Sequence, residues 1–387
     1  MSVSRILKIA GFMTALSLLG AYPQAMAGGQ DFIHEGKLIF SIAACGGDDI
    51  PAGFDKAVID DHCRRMKQMT DQYRKAFIDK ATPFMAGLRP GGIPRKIFVP
   101  FGGGDLLPAM IMYPDASEYV TISLESSGDP RRLEKATAAQ LRRALEMFRS
   151  NVGYMLLTND NSNESVRNMD RGAVPNQLSF SLAALAVIGY EPVSLRYFRI
   201  ENDGSLHYLS LDEISKLENV RGQRLKGTWI DTDFSVAFRN MELAFRKKGG
   251  GPTIIHRHIA YNLDNQHFTG SGLLKYLESM GKISVMIKGA SYLPWFDSFS
   301  AVRDYTLSHM VYGVSDATGI LPRHAVPGGF VQETYGKFNG AFLTNDGGAD
   351  AAALRALFQS QPYREIPFRF GYSDTRRANH LIITRKR

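Results

Sequence analysis

Cysteine is scarce in this sequence: 387 residues contain only Cys45 and Cys63. No C-x-x-C pair exists, which removes the basis for a redox motif. H-E-x-x-H, G-x-S-x-G and G-x-G-x-x-G are also missing, so no metalloprotease helix, nucleophile elbow or dinucleotide fingerprint can be read. Positive charge never collects into a long run. Arg131-Arg132, Arg142-Arg143, Lys247-Lys248 and Arg376-Arg377 are short, distant groups that read as solvated faces, which argues against nucleic-acid binding. Beyond the first residues no apolar run approaches membrane length, so no span is expected in the mature chain. No repeat or low-complexity block appears.

What the beginning does have is a three-part leader. Arg5 and Lys8 precede an apolar run from Ile9 to Tyr22, and Ala25-Met26-Ala27 supplies the small-x-small pattern of a cleavage site. Residues 1–27 are therefore expected to be a signal peptide, and the mature protein is expected to be extracytoplasmic, periplasmic or secreted. No cysteine stands at the cleavage point, which argues against a lipid anchor. In an oxidising compartment Cys45 and Cys63 form a natural disulfide, stabilising by about 3 kcal/mol in the chain-entropy picture. Losing Arg5 and Lys8 lowers the net charge from +8 to +6.

With 44% hydrophobic and 22% charged residues the composition is globular. Residues 28–90 read as an N-terminal segment, irregular to residue 53 and helical from Phe54 to about Met85. Residues 91–387 read as one mixed α/β domain. Its most organised stretch runs strand 96–101, Gly102-Gly103-Gly104-Asp105, helix 106–112, turn Tyr113-Pro114-Asp115, and strand 119–124 ending at Glu125. Strand, glycine turn, helix and strand in that order predict a parallel pair. Helical periodicity follows over 133–149 and 178–188. Later, Asn202-Asp203-Gly204 marks a hairpin within 192–210. Strands are expected at 234–246, 252–263 and 330–338, and helices at 270–280 and 299–310. The fold class is thus mixed α/β: a partly parallel central sheet with added antiparallel hairpins and covering helices.

Several blocks resemble an uncharacterised family of exported bacterial proteins. They are Phe98-Val-Pro-Phe-Gly-Gly-Gly-Asp105-Leu, Tyr113-Pro114-Asp115-Ala116 and Ile122-Ser-Leu-Glu125. Lys288-Gly-Ala-Ser291-Tyr292-Leu293, Phe299-Ser-Ala-Val-Arg303-Asp304, Asp316-Ala-Thr-Gly319-Ile320 and Thr334-Tyr335-Gly336-Lys337 complete the set. The resemblance spans about residues 96–340. It implies a shared fold and carries no activity.

The glycine turn is the first candidate site. Glycines at a strand-to-helix turn let backbone N–H groups approach a ligand, and an acid at the end of the next strand is where nucleotide-binding sheets hold a ribose. G-G-G-D departs from the dinucleotide pattern, so no cofactor is assigned. Asp105 then either caps the following helix or joins Glu125 at a substrate crevice, and both readings stay open. His256 and His258 would share one face of a strand, a zinc-like pair whose third ligand Glu242 or His207 would supply only if the sheet brought them close; no metal is expected. Lys288 beside Ser291 suggests a lysine-activated serine, although the order is reversed from the usual motif. Arg303, Asp304 and Asp316 suggest an ion-pair network or a binding surface.

Combined, these point to a polar crevice at the strand ends. Asp105, Glu125, Lys288, Asp304 and Asp316 are its candidate catalytic residues, and Gly102, Gly103, Gly104, Ser291, Tyr292 and Arg303 its candidate substrate contacts. A hydrolase acting on a small-molecule or envelope-derived ligand is the reading carried forward; a non-catalytic envelope protein is the alternative.

Overall fold

The computed structural model describes residues 29–48, 50–158, 172–220, 235–289, 293–338, 348–371 and 379–387. The leader, Ser291 and Tyr292 lie outside them. Ten strands form one sheet in the order β4-β3-β5-β6-β2-β1-β7-β8-β10-β9. They are β1 (Lys96–Val99), β2 (Glu118–Ser123), β3 (Tyr190–Ile200), β4 (Leu206–Tyr208) and β5 (Asn240–Lys247), then β6 (Ile254–Ala260), β7 (Ile283–Ile287), β8 (Met310–Ser315), β9 (Phe330–Lys337) and β10 (Asn379–Lys386). The central strands β6-β2-β1-β7-β8 are parallel, and antiparallel strands flank them on both sides. The mixed α/β class is therefore as read from the sequence, with a parallel core wider than the two strands expected.

The β1–β2 unit follows from local chemistry. Lys-Ile-Phe-Val is short and apolar, and Leu106–Met112 forms helix α1 of the crossover. Period-2 alternation splits the strand: Phe98 joins the core on one face, while Ile97 and Val99 join the core on the other. Leu273, Leu277, Val302 and Tyr305, on helices α2 (Gly272–Ser279) and α3 (Ser300–His309), cover the Phe98 face. The opposite face packs under the N-terminal helices and helix Asn176–Ile188. The result is three layers, helix on sheet on helix.

One expectation fails in the N-terminal segment. Residues 28–53 are not irregular throughout, because Ile33–Ile42 is a helix with Leu38, Ile39, Phe40 and Ile42 buried. Glycine content misled the reading. Gly36 lies inside that helix where Leu195 on β3 comes within 3.3 Å of where its Cβ would stand, so the glycine serves close packing. The helical reading over 54–85 appears as Lys56–Tyr73 and Asp79–Leu88, joined through one π-turn at 74–78. Cys45 and Cys63 form the expected disulfide, with Cα atoms 5.4 Å apart. Among the described residues no helix is long and apolar enough to cross a membrane. At the β9 edge the outward backbone groups are occupied: Gly336 N–H donates to Arg364 O, and Gln361 bonds both Thr334 N–H and Gln332 O. That cover blunts a strand edge otherwise open to pairing.

Candidate functional site

All the parallel strands end at one edge of the sheet, where Glu125, Lys288 and Asp316 lie just beyond β2, β7 and β8. The order of the strands reverses between β1 and β7, with β2 added on one side and β7 on the other, and such a topological switch point is where open α/β sheets place their ligands. Asp105 and Lys288 meet at that point, with Lys288 Nζ 3.3 Å from Asp105 Oδ1 and both side chains no more than 3% exposed. Asp105 precedes α1 without a side-chain capping bond, so the capping reading is overturned. Its carboxylate faces the lysine instead. A pair this deep is weak evidence for stability, since desolvating two charges offsets most of their attraction.

The turn that delivers Asp105 is tightly held. Phe101 has φ +62°, a left-handed conformation rare outside glycine, and two residues with positive φ other than glycine occur among the described residues. Backbone strain of this kind persists where surrounding packing over-determines it, and it collects at functional sites. Gly102 and Gly103 serve packing more than openness. A Cβ on Gly102 would fall 2.7 Å from Val99 Cγ1, and one on Gly103 would collide with Ser123 Oγ. Gly103 O accepts from the side-chain amide of Gln177. Gly102, Gly103 and Gly104 are all buried, so the turn is not the open anion cradle its sequence suggests.

Asp316, fully buried after β8, ties the neighbouring turns together. Its Oδ2 accepts from Gly289 N–H at 3.0 Å, beside Lys288, and its Oδ1 accepts from Thr318 N–H at 2.8 Å and the Thr318 hydroxyl at 2.5 Å. Asp316 therefore fixes the backbone that presents Lys288. His380, at the start of β10, is 1% exposed and lies within the field of Asp316. Burial pushes its imidazole below the ordinary value while the Asp316 charge opposes that shift, so His380 is neutral at neutral pH. Around these groups lie Ser123 Oγ, Gln177 Oε1, Ser315 Oγ and both His380 ring nitrogens, all buried without a hydrogen-bond partner among the described residues. Neither Gln177 nor His380 was singled out from the sequence. The available signals were a polar residue just after Pro175 at a helix start, and a lone histidine opening the last apolar run.

Glu125 is buried just beyond β2, and its carbonyl accepts from His258 Nε2–H at 2.8 Å. That bond fixes a proton order. His258 Nδ1 is left as an acceptor for the Thr121 hydroxyl at 3.2 Å, and Thr121 Oγ1 accepts from His256 Nε2–H at 2.9 Å. Burial lowers His258 to about 4 and holds His256 well below its ordinary value. The shared face expected of the two histidines is present. The third ligands considered for them are not brought near: Glu242 pairs with Arg257 and Arg196 on the other face, and His207 pairs with Glu213.

Arg303 and Asp304 diverge. Arg303 is buried and donates to Pro294 O at 2.9 Å, anchoring the loop after β7. Asp304 is solvent-exposed on α3, one helical step away, where its field acts on His324. Asp105, Lys288 and Asp316 are thus drawn together at the switch point, and Asp304 stands outside in solvent. Comparison with family models, curated proteins and solved structures returns no match.

Proposed function

We propose that this chain is an extracytoplasmic enzyme of the hydrolase type, working on a small polar or envelope-derived molecule at the carboxyl edge of β1, β2, β7 and β8. One observation carries the reading. Ser123 Oγ, Gln177 Oε1, Ser315 Oγ and the His380 ring nitrogens, buried without partners among the described residues, lie around the Asp105–Lys288 pair, and each such atom calls for an explanation beyond packing. Lys288 is suited to stabilise negative charge developing on a substrate, held in place by Asp105 and by the Asp316–Gly289 bond. A neutral imidazole at His380 is suited to take a proton from water. The disulfide and the leader pattern support export.

A second reading, binding of a nucleoside-bearing donor, is favoured by the strand order β6-β2-β1-β7-β8 and by Glu125 at the end of β2. The filled glycine turn counts against it. Screening the purified chain against ester, amide, phosphoester and glycoside substrates tests the hydrolase reading. Turnover lost in Asp105→Asn and in Glu125→Gln supports it. Full turnover in both variants would remove the carboxyl edge as the site.

A further inference from the structure

The opposite edge of the same sheet carries a cleft that the proposed chemistry does not use. It has a volume of about 350 Å³ and lies between the end of helix Asp79–Leu88, the Pro90–Pro94 loop and the Tyr113–Ala116 turn. That is enough for a small organic molecule. Its walls mix apolar groups, among them Ile93, Ile97 and Tyr113, with two guanidinium groups, Arg89 and Arg95.

Both arginines are held by their stems and leave donors over. Arg89 is half-buried and gives one Nη1 bond to Met112 O at 2.8 Å, at the carbonyl end of α1. Arg95 gives its Nε–H to Asp115 O at 2.6 Å, while its own carbonyl anchors Ser117 N–H where β1 and β2 begin to pair. Neither forms an ion pair among the described residues. Other arginines among the described residues behave differently: Arg131, Arg196, Arg246 and Arg257 all pair with carboxylates. A guanidinium fixed by a carbonyl keeps its charge and its remaining N–H donors for a ligand oxyanion, and two of them suit bidentate recognition. Tyr113 contributes ring surface only, since its hydroxyl donates to Val285 O.

We infer that this cleft is a second binding site, for a small organic anion bearing a carboxylate or phosphate on an apolar body. Asp115, exposed at the rim, disfavours anions that carry charge at both ends. The test is calorimetric titration of the full chain with benzoate and with phenyl phosphate, and with benzyl alcohol as the uncharged control. Saturable binding of at least one anion and none of the alcohol is expected, and which anion binds assigns the oxyanion. Arg89→Gln and Arg95→Gln are each expected to weaken binding by about tenfold or more, the scale of one charge-assisted hydrogen bond. Arg95 is exposed, so its variant keeps the fold even if Arg89→Gln disturbs the end of α1. Absence of saturable binding, or affinity unchanged in both variants, would overturn the assignment.

Discussion

Two groups of buried charge sit a few strands apart in this sheet, and they are built on different terms. On the face of β6 away from the histidines, Glu242 accepts from Arg196 at 2.6 Å, from Arg257 at 2.6 Å and from the Tyr208 hydroxyl at 2.5 Å. Arg257 also reaches Glu118, so acids and bases alternate and both Glu242 oxygens are taken. At the carboxyl edge the Asp105–Lys288 contact is 3.3 Å, and four neighbouring side chains (Ser123, Gln177, Ser315 and His380) bury polar atoms without partners among the described residues. A closed network is what a fold needs to bury charge. An incompletely bonded cluster at the switch point is what a binding or catalytic centre needs.

Breaking the first group should cost most. Glu242→Leu leaves Arg196 and Arg257 facing an apolar neighbour, and about 3–5 kcal/mol of stability should be lost in urea unfolding. A loss under 1 kcal/mol would mean that the network is not structural.

The histidine face between the two groups sharpens the contrast through pH. Folding lowers His258 to about 4 and holds His256 well below its ordinary value, and it also lowers His62, buried on helix Lys56–Tyr73 against Ala43 O, to about 4. The unfolded chain therefore binds more protons below about 6.5. Stability should be full above that pH and fall as pH drops toward 4, by about 1.4 kcal/mol per pH unit for each histidine. Unfolding curves between pH 7 and pH 4.5 measure it, and a flat profile would show these imidazoles to be accessible. Thr121→Val removes the hydroxyl joining His256 to His258 and should cost about 1–3 kcal/mol, the usual scale for buried groups left unsatisfied. Calorimetric melts decide it, and an unchanged midpoint would contradict the proton order assigned to the pair.

Much of this was legible in the sequence, and the limits have physical causes. The β1–α1–β2 unit and the Asn202-Asp203-Gly204 hairpin were readable because each is closed by local chemistry. β7, β8 and β10 were not assigned. Ile283–Ile287 is buried throughout, so it shows no alternation, and β10 pairs between β8 and β9, its partners remote in sequence. Asp105 stood out because it follows a glycine turn between strand and helix, and Glu125, Lys288 and Asp316 because each closes a mostly apolar stretch. Their pairing did not, since it depends on which strands lie side by side. Asp304 was grouped with Arg303 by adjacency, yet one step along a helix turned it into solvent.

The smallest stability effect is the most telling. Asp105→Leu combined with Lys288→Met replaces both charges at once and avoids stranding one of them. Thermal melts of this double variant, run beside whichever turnover or ligand assay the wild type answers, test whether the pair exists for function. Stability equal to the wild type or up to a few kcal/mol higher is expected, with turnover or binding abolished. Retained function, or a loss of several kcal/mol in stability, would contradict it and return Asp105 and Lys288 to the same structural role as Glu242 and Arg257.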